Sequence, residues 1–375
     1  MLFSHSPNLG GAERTLAECC EVMTAGHEVH VVVPSTDGLL HEHLGSCGAE
    51  IHVARQTWWI DYPRPVYERV LLPARTTARL ARDVTNIVGL LRQVRPSVAL
   101  TNTLASPAAA IGCAVLGIPH IWFAHEYVVE DHGLHFQFGR NLSMRLVAIT
   151  GTAHVACSDS LAKALSSRLR RHVATVDAAV EDRWPRPAAA ARPSDSALRI
   201  LVVGTLQKGK GQRLAVAIAR ILKGRGVPIL MTVVGPDPYG ESAHLGALIG
   251  SFGLAEQVRI LGPTSDLGSI YDDADVLLVP SEIEALGRAT IEAQKRGLAV
   301  VGSASGGTAA LLDGGCGVLF APGDAHAAAE AVAEMWRNRQ HRAAIAERGR
   351  RAATQRYSAA RLSSQLDQMF DAVAG

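Results

Sequence analysis

The chain has 375 residues, of which 48% are hydrophobic and 19% are charged. This composition is typical of a globular protein and excludes a disordered or fibrous one. The formal net charge is only +2, so a broad cationic surface for nucleic acid is not expected. The length exceeds what one hydrophobic core usually organises, which predicts two domains of roughly 180 residues each.

Short apolar runs alternate with amphipathic stretches along nearly the whole chain. This is the pattern of strands joined by crossover helices in a parallel sheet, so the sequence predicts an α/β fold. In the first half, helices are predicted over Ala12 to Ala25 and over an arginine-rich segment from about Tyr67 to Val94. Strands are predicted there at Met1 to Ser4, Glu28 to Val33, Glu50 to Ala54, Ser97 to Thr101, His120 to Ala124, Val155 to Ser158 and His172 to Val176.

A segment rich in proline and alanine, RPAAAARPSDSA, occupies residues 186–197 and reads as an interdomain linker. We therefore predict an N-terminal domain over residues 1–185 and a second domain over 198–355. A helix over 356–375 would pack back on the first domain. The strands predicted for the second domain are Arg199 to Val203, Ile229 to Val234, Val258 to Leu261, Val276 to Val279, Ala299 to Gly302 and Gly317 to Phe320.

Two such domains would face a cleft, because open parallel sheets bind ligands at the carboxyl ends of their strands. The segment LVVGTLQKGKG, Leu201 to Gly211, runs from an apolar strand through glycines and lysines into a predicted helix. Glycines admit close backbone approach, the start of a helix offers unpaired amides, and a lysine adds a full charge. The segment predicts a phosphate site, the alternative being a solvated turn. It lacks the P-loop pattern.

A second segment, PSEIEALGRATIEAQKRG, carries Glu284 in a loop after a strand and Glu292 inside the following helix. Carboxylates accept strong hydrogen bonds from vicinal hydroxyls, so these two residues predict binding of a polyhydroxylated ligand. The alternative is a pair of surface charges. Two further glycine turns follow strands: Gly306 and Gly307 in GSASGGT, and Gly11 in NLGGAER. Both could present amides to an anion, and Glu13 and Arg14 could equally be ordinary first-turn helix residues.

His125 closes the apolar strand in WFAHEYV, so it lies at the carboxyl end of the first sheet. A histidine there could hydrogen-bond a sugar or modulate charge near a reacting centre. His132 and His135 lie close in sequence and raise metal binding as an alternative, but the spacing of a metal motif is missing.

Taken together, these motifs resemble glycosyltransferase family 4, a group of retaining enzymes with the GT-B fold of two Rossmann-like parallel-sheet domains. The resemblance covers almost the whole chain. It rests on G-G-A-E-R, on G-H-E-V at Gly26 to Val29, on the G-x-L-x-x-x-K-G turn from Gly204 to Gly211, on the two glutamates eight positions apart, and on S-G-G-T.

The resemblance implies a nucleotide diphosphate sugar as donor. Lys210, with Lys208, would neutralise the diphosphate, and Glu292 would bind the ribose. Glu284 would contact the donor sugar, together with amides near Leu286 and Gly287. His125 would approach the transferred sugar, and Gly11 and Gly211 would lie near the diphosphate. Two departures stand out: Thr205 replaces a common arginine, and Ala310 occupies the region where many members carry a glutamate.

The resemblance further implies retention of the anomeric configuration by front-face attack, with no metal cofactor required. Asp272, Asp273 and Asp275 leave the metal question open. The six cysteines are scattered without a C-x-x-C pair, and no secretory leader or apolar run of about 18 residues occurs, so we expect a cytoplasmic protein.

Two basic segments of the predicted acceptor-side domain suggest peripheral contact with an anionic membrane, although a solvated helix face is the favoured alternative. The first segment contains Arg64, Arg69, Arg75, Arg79, Arg82, Arg92 and Arg95, and the second contains Arg140, Arg145, Lys163, Arg168, Arg170 and Arg171. The acceptor could be a glycan, a lipid-linked sugar or a small molecule.

Two other functions remain open. A sugar-nucleotide 2-epimerase shares the GT-B architecture, and a non-catalytic sugar-nucleotide-binding protein would agree with Thr205 and Ala310.

Overall fold

The computed structural model of the chain describes residues 1–62, 66–180, 196–264 and 266–374, and for residues 66–71 and 374 it describes the backbone alone. Two compact units result: residues 1–180 with 357–375, and residues 181–356. The predicted linker, residues 186–197, lies outside the described residues apart from its last two.

The first unit is built on a parallel sheet. Its described strands are β1 (Leu2–Phe3), β2 (His30–Val33), β3 (Glu50–Val53), β4 (Ile60–Asp61), β5 (Ala99–Thr101), β6 (His120–Ala124), β7 (His135–Phe136), β8 (Ala153–Ala156) and β9 (Ala174–Thr175). The sheet order is β3-β2-β1-β5-β6-β8-β9, while β4 and β7 form a separate antiparallel pair. The chain thus starts in the middle, winds outwards to β3 and reverses to β5. We call the place between β1 and β5 the first reversal point.

Helices cover this sheet. They are α1 (Gly11–Met23), α2 (Leu39–Leu44), α3 (Val66–Val94), α4 (Ala108–Leu116), α5 (Arg140–Thr150) and α6 (Asp159–Leu169). The apolar faces of α3 and α4 bury Ile87, Leu91 and Ala109 against Phe3 of β1 and Ala99 of β5. This burial of apolar surface supplies the main stabilisation of the unit.

The second unit repeats the winding. Its described strands are β10 (Leu198–Val203), β11 (Ile229–Val234), β12 (Val258–Leu261), β13 (Val276–Val279), β14 (Ala299–Ser303) and β15 (Val318–Phe320). All neighbours are parallel in the order β12-β11-β10-β13-β14-β15. The order reverses between β10 and β13, the second reversal point. Open α/β sheets bind ligands beyond the carboxyl ends of their strands at such a point.

The helices of the second unit are α7 (Gln212–Gly224), α8 (Glu241–Ser251), α9 (Leu267–Asp273), α10 (Arg288–Lys295), α11 (Gly306–Leu312), α12 (Ala325–Arg337) and α13 (Arg339–Arg356). Apolar residues at helical spacing, Ala215, Ile218, Ala219 and Leu222, turn one face of α7 into the core formed with β10 and β11. This packing holds the start of α7 just after β10.

The chain returns to the first unit with helix α14 (Ala359–Ala374), which packs on α1. Asp177, only 2% exposed, anchors it: its carboxylate accepts from Arg361 Nε at 3.1 Å, and its N–H donates to Gln365 at 2.9 Å. All six cysteines are free. Within the described ranges, none of the helices combines the length and apolar character that crossing a bilayer requires.

Candidate active site

The loops that follow β10 and β13 meet at the second reversal point. The N–H of Glu282 donates to the carbonyl of Gly209 at 3.0 Å. Gly211 has a φ of 72°, and a Cβ there would lie 2.1 Å from the carbonyl oxygen of Pro280. Only glycine fits this approach. The segment that contains Lys210 and the segment that contains Glu284 are therefore packed against each other.

Lys210 and Glu284 form an ion pair at this place. Lys210 Nζ donates to Glu284 Oε1 at 2.9 Å and to Oε2 at 2.8 Å, and the hydroxyl of Ser281 donates to Oε1 at 2.7 Å. The exposed fraction is 23% for the lysine side chain and 15% for the glutamate. The ammonium is thus held in a partly shielded position, where its charge acts more strongly than in bulk water.

The turn before α7 is fixed by a residue that the sequence did not single out. Gln212 is 2% exposed, and its Nε2 donates to the carbonyl of Thr205 at 2.9 Å. The half-buried Gly204 follows β10, while Lys208 is exposed on a short 3₁₀ turn that also contains Lys210. Lys210 is therefore ordered by its partners, and Lys208 faces solvent.

Glu292 lies in the second turn of α10 and is half-buried. The hydroxyl of Tyr271, a fully buried residue missed by sequence reasoning, donates to Glu292 Oε2 at 2.8 Å. Gly287 precedes the helix with a left-handed φ of 87°, and Leu286 is buried beside it. The tyrosine fixes one carboxylate oxygen and so orients the other.

The glycine turn after β14 differs from the prediction. Gly307 donates its N–H to the carbonyl of Glu284 at 2.7 Å, and a Cβ on Gly306 would lie 2.2 Å from that same oxygen. The expectation that Gly307 presents its amide to an anion is wrong, because the amide holds the loop of Glu284 in place. Ala310 lies in α11.

The three aspartates that the sequence offers as possible metal ligands interact with arginine residues. Arg296 donates to Asp272 at 3.0 and 2.5 Å, and Arg199 pairs with Asp273 through its side chain. The N–H of Arg199 donates to Asp275 at 2.9 Å. These carboxylates therefore stabilise the unit through charge pairing and are not arranged as one ligand set.

His125 lies just after β6, next to the first reversal point. Asn102, directly after β5, donates from Nδ2 to the carbonyl of Ala12 at 2.8 Å. This bond turns its Oδ1 towards His125 Nε2, 2.7 Å away. Because an amide oxygen only accepts, the N–H of Nε2 donates this bond. His125 thus lies at the end of a strand, as predicted, and Asn102 orients its imidazole ring.

Glu126 is buried beside His125. Its carboxylate accepts from the hydroxyl of Thr103 at 2.8 Å and from the N–H groups of Leu104 at 2.7 Å and His125 at 3.2 Å. Burial dominates over these bonds and raises the pKa of Glu126 to about 7. Sequence reasoning missed this residue, although it follows an apolar strand directly.

The start of α1 lies at the same reversal point. Gly11 is its first residue and is exposed, while Glu13 is 4% exposed and is no ordinary surface residue of the first turn. Burial raises the pKa of Glu13 to about 7. His5 Nδ1 lies 3.2 Å from Glu13 Oε1, and burial lowers the pKa of His5 to about 4.

The histidines near His125 do not assemble into a metal-ligand set. Across the described part of the chain, one group of ligand atoms has suitable mutual distances, and it consists of His30, Glu50 and His52 on β2 and β3. His135 instead lies in β7, and His132 lies 3.8 Å from Asp131.

The positive charges of the two basic segments are only partly balanced by acidic partners. Arg140 and Arg168 both contact Glu130, at 3.5 and 2.6 Å. Arg75, Arg79, Arg82 and Arg92 of α3 are exposed. Arg64 and the side chain of Arg69 lie outside the described residues.

Two family models match the chain. The model of Glycosyltransferase Family 4 matches residues 9–181, and the model of Glycosyl transferases group 1 matches residues 188–352. The chain belongs to the glycosyltransferases that these two models define, and the resemblance inferred from its motifs is confirmed.

Sequence relatives match over part of their length. The chain is 34% identical over 184 residues to a D-inositol 3-phosphate glycosyltransferase of Corynebacterium urealyticum, covering 47% of this chain and 43% of the relative. It is 37% identical over 180 residues to D-inositol 3-phosphate glycosyltransferase 2 of Catenulispora acidiphila, covering 44% and 42%. The matches therefore span less than half the length of either relative.

Solved structures match over nearly all of both chains. Anabaena Alr3699/HepE in complex with UDP-glucose has a TM-score of 0.79 at 19% identity, covering 99% of this chain and 98% of that chain. Sucrose-phosphate synthase from Thermosynechococcus elongatus has a TM-score of 0.76 at 18% identity, covering 99% and 97%. At such identities the likeness shows the fold, and it confirms the predicted α/β GT-B class with two parallel-sheet domains.

Proposed function

We propose that the chain is a retaining glycosyltransferase that moves a hexose-type sugar from a nucleotide diphosphate sugar to a glycan, lipid-linked or small-molecule acceptor. The observation that carries the proposal is the Lys210–Glu284 pair at the second reversal point. This places a held cation where sheets of this order bind ligands.

The held cation suits the departing diphosphate. Cleaving the bond between sugar and phosphate leaves negative charge on the diphosphate, so contacts that strengthen during the reaction lower its barrier. An ammonium has three N–H donors, and Glu284 takes two of them. The third donor of Lys210 then serves a phosphate oxygen without breaking the pair.

The two glutamates suit the hydroxyl groups of the donor. Glu284 contacts the donor sugar while it remains hydrogen-bonded to Lys210. The same pair of residues therefore binds both the sugar and the diphosphate. Glu292, with one oxygen fixed by Tyr271, accepts from the ribose hydroxyls with the other. Charged acceptors make the stronger kind of hydrogen bond, which fits recognition of vicinal hydroxyls.

His125 contacts the transferred sugar in this proposal, and Asn102 acts as its positioning residue. Retention follows from front-face attack, in which the leaving phosphate accepts the proton of the acceptor hydroxyl. No metal cofactor is proposed, because Lys210 supplies the positive charge and Asp272 and Asp273 are engaged by arginines.

A thermal-shift screen against UDP-, GDP-, ADP- and dTDP-sugars tests the donor, because a specific ligand raises the apparent melting temperature by mass action. UDP-glucose is the first compound to test, since a structural neighbour was solved with it. Wild type should be stabilised by one nucleotide class, and Lys210→Ala should lose that response. No response to any nucleotide sugar would contradict the proposal.

Product analysis separates transfer from the other two functions. A transferase releases free nucleoside diphosphate only when an acceptor is supplied. A 2-epimerase would convert the donor without acceptor, and a binding protein would show tight donor binding without turnover on any acceptor.

Membrane contact by the arginine-rich face of α3 is a further part of the proposal. Co-sedimentation with anionic vesicles at low salt is expected to retain the protein, because exposed arginines attract anionic headgroups. Vesicles of neutral lipid serve as the control. If the protein does not bind anionic vesicles at low salt, the arginine-rich face of α3 is a solvated surface and the membrane contact is contradicted.

A further inference from the structure

Two histidines and a glutamate lie together at the amino ends of β2 and β3. The register pairs His30 with Glu50 and Val32 with His52. Since side chains alternate along a strand, His30, Glu50 and His52 project from the same face of the sheet. Asn102 and His125 follow the carboxyl ends of their strands, so the cluster lies at the opposite end of the strands of the first sheet. The proposed sugar transfer therefore does not account for the cluster.

The three side chains approach each other through their ligand atoms. His30 Nδ1 lies 3.0 Å from His52 Nε2. Glu50 places Oε2 3.6 Å from His30 Nδ1 and Oε1 3.6 Å from His52 Nε2. Around a tetrahedral zinc ion with bonds of about 2.0–2.1 Å, ligand atoms are about 3.3 Å apart. The observed spacings lie on either side of this value, and one ligand atom from each of the three residues lies within 4.8 Å of the other two.

Glu28, which is 86% exposed, contacts the first histidine from the solvent side. Its Oε1 lies 3.3 Å from His30 Nε2, on the other side of the ring from His52. A proton on Nε2 that is donated to Glu28 leaves the lone pair on Nδ1, the atom that faces His52 and Glu50. A carboxylate that fixes a histidine in this way is the usual outer partner of a metal-bound imidazole.

Burial differs between the imidazoles and the carboxylate. The side chains of His30 and His52 are 12% and 14% exposed, so the two rings are held by packing, and they stack with centroids 5.2 Å apart. Glu50 is 65% exposed, which leaves the side towards solvent accessible to water. Three protein ligands and one water complete a tetrahedral set.

We propose that His30, His52 and Glu50 bind one divalent transition metal ion of the zinc class. Two imidazoles and a carboxylate are ligands that suit zinc. The ion would join β3, the edge strand of the first sheet, to β2, its neighbour. Its effect is therefore on the stability of the first unit and not on sugar transfer.

Titration calorimetry with zinc chloride, using the full chain after chelator treatment, tests this site. Wild type is expected to bind one zinc ion per chain, and His30→Ala and His52→Ala should weaken binding at least tenfold. Glu50→Gln keeps the size of the side chain and both histidines, so it should weaken binding even if the histidine variants fold poorly. Zinc should raise the melting temperature of wild type and not that of His52→Ala.

His43→Ala is the matched control, because His43 Nε2 also contacts a glutamate, Glu21 at 3.2 Å, without a second histidine in the group. It should bind zinc as wild type does. The proposal is overturned if wild type takes up no zinc, or if His52→Ala and Glu50→Gln bind it as tightly as wild type. Either result would leave the cluster as a hydrogen-bonded network alone.

Discussion

Replacement of Lys210 by alanine tests the contact on which the proposed reaction depends. The side chain is 23% exposed and is held by two bonds to Glu284, so its charge is only partly screened. At about 4 Å and an effective dielectric constant of about 20, its attraction to one phosphate charge is about 4 kcal/mol. Losing a preorganised contact of this kind usually raises a reaction barrier by about 3–4 kcal/mol.

Each 1.36 kcal/mol corresponds to about a tenfold change in rate, so Lys210→Ala should lower kcat/KM by about two orders of magnitude or more. We expect kcat to fall with it, because the contact strengthens as the diphosphate departs. The variant also leaves Glu284 without its cation, and the uncompensated carboxylate then repels the diphosphate. This second effect adds to the loss.

The assay is steady-state release of nucleoside diphosphate with saturating acceptor. Lys210→Arg keeps the charge and should lose less activity than the alanine variant. Lys208→Ala removes an exposed charge from the same turn and should lower kcat/KM by less than about tenfold, because exposed charges are screened.

Folding must be checked beside activity, since loss of the lysine leaves the partly buried Glu284 without its partner, which lowers the free energy of unfolding by about 1–3 kcal/mol. A modest drop in melting temperature is therefore expected for Lys210→Ala. An unchanged kcat in a folded Lys210→Ala protein would refute the role assigned to the lysine, as would equal losses for Lys208→Ala and Lys210→Ala.

Three further predictions address the other residues. Glu292→Ala should weaken nucleotide affinity about tenfold or more in titration calorimetry, and equal affinity would show that the ribose lies elsewhere. Asn102→Ala frees the ring of His125 and should lower kcat about tenfold with little change in donor KM, whereas an unchanged kcat would mean that this orientation is irrelevant. Burial raises the pKa of Glu126 from 4.5 to about 7. Between these pH values the folded protein keeps a proton that the unfolded chain releases, so the stability contributed by Glu126 falls as the pH rises from about 4.5 to about 7. Glu126→Gln should therefore reduce the loss of unfolding free energy between pH 5 and pH 8 by about 3 kcal/mol in urea titrations, and parallel profiles for both proteins would contradict this.

The strands of the second unit could be predicted closely because most of their residues are buried. Such strands are nearly continuous apolar runs bounded by polar or glycine residues, and β11, β12 and β13 have the predicted bounds. The pair β4 and β7 was not predicted. Each has two residues, too few for any periodic pattern, and their pairing joins segments far apart in sequence.

The contact between Lys210 and Glu284 could not be predicted from spacing alone, because 74 positions separate the two residues. Each was identified from its own strand and loop, and the strand order then joined them. The partners of site residues were harder to find. Tyr271 and Gln212 are buried neutral residues, which look like core or helix residues in sequence, and only packing shows which polar atom they serve.

The two reversal points differ in charge, and this difference supports the proposal that the donor diphosphate binds to the second unit. Glu13 and Glu126 are buried near the first point, and burial raises the pKa of each carboxyl to about 7, with the charge of Glu126 adding to the rise at Glu13. At the second point Glu284 is already balanced by Lys210, and the remaining donor of the ammonium attracts phosphate. The first point is better suited to neutral hydroxyl groups, because carboxyls with a pKa of about 7 can donate to them in their protonated form, as can the oriented His125.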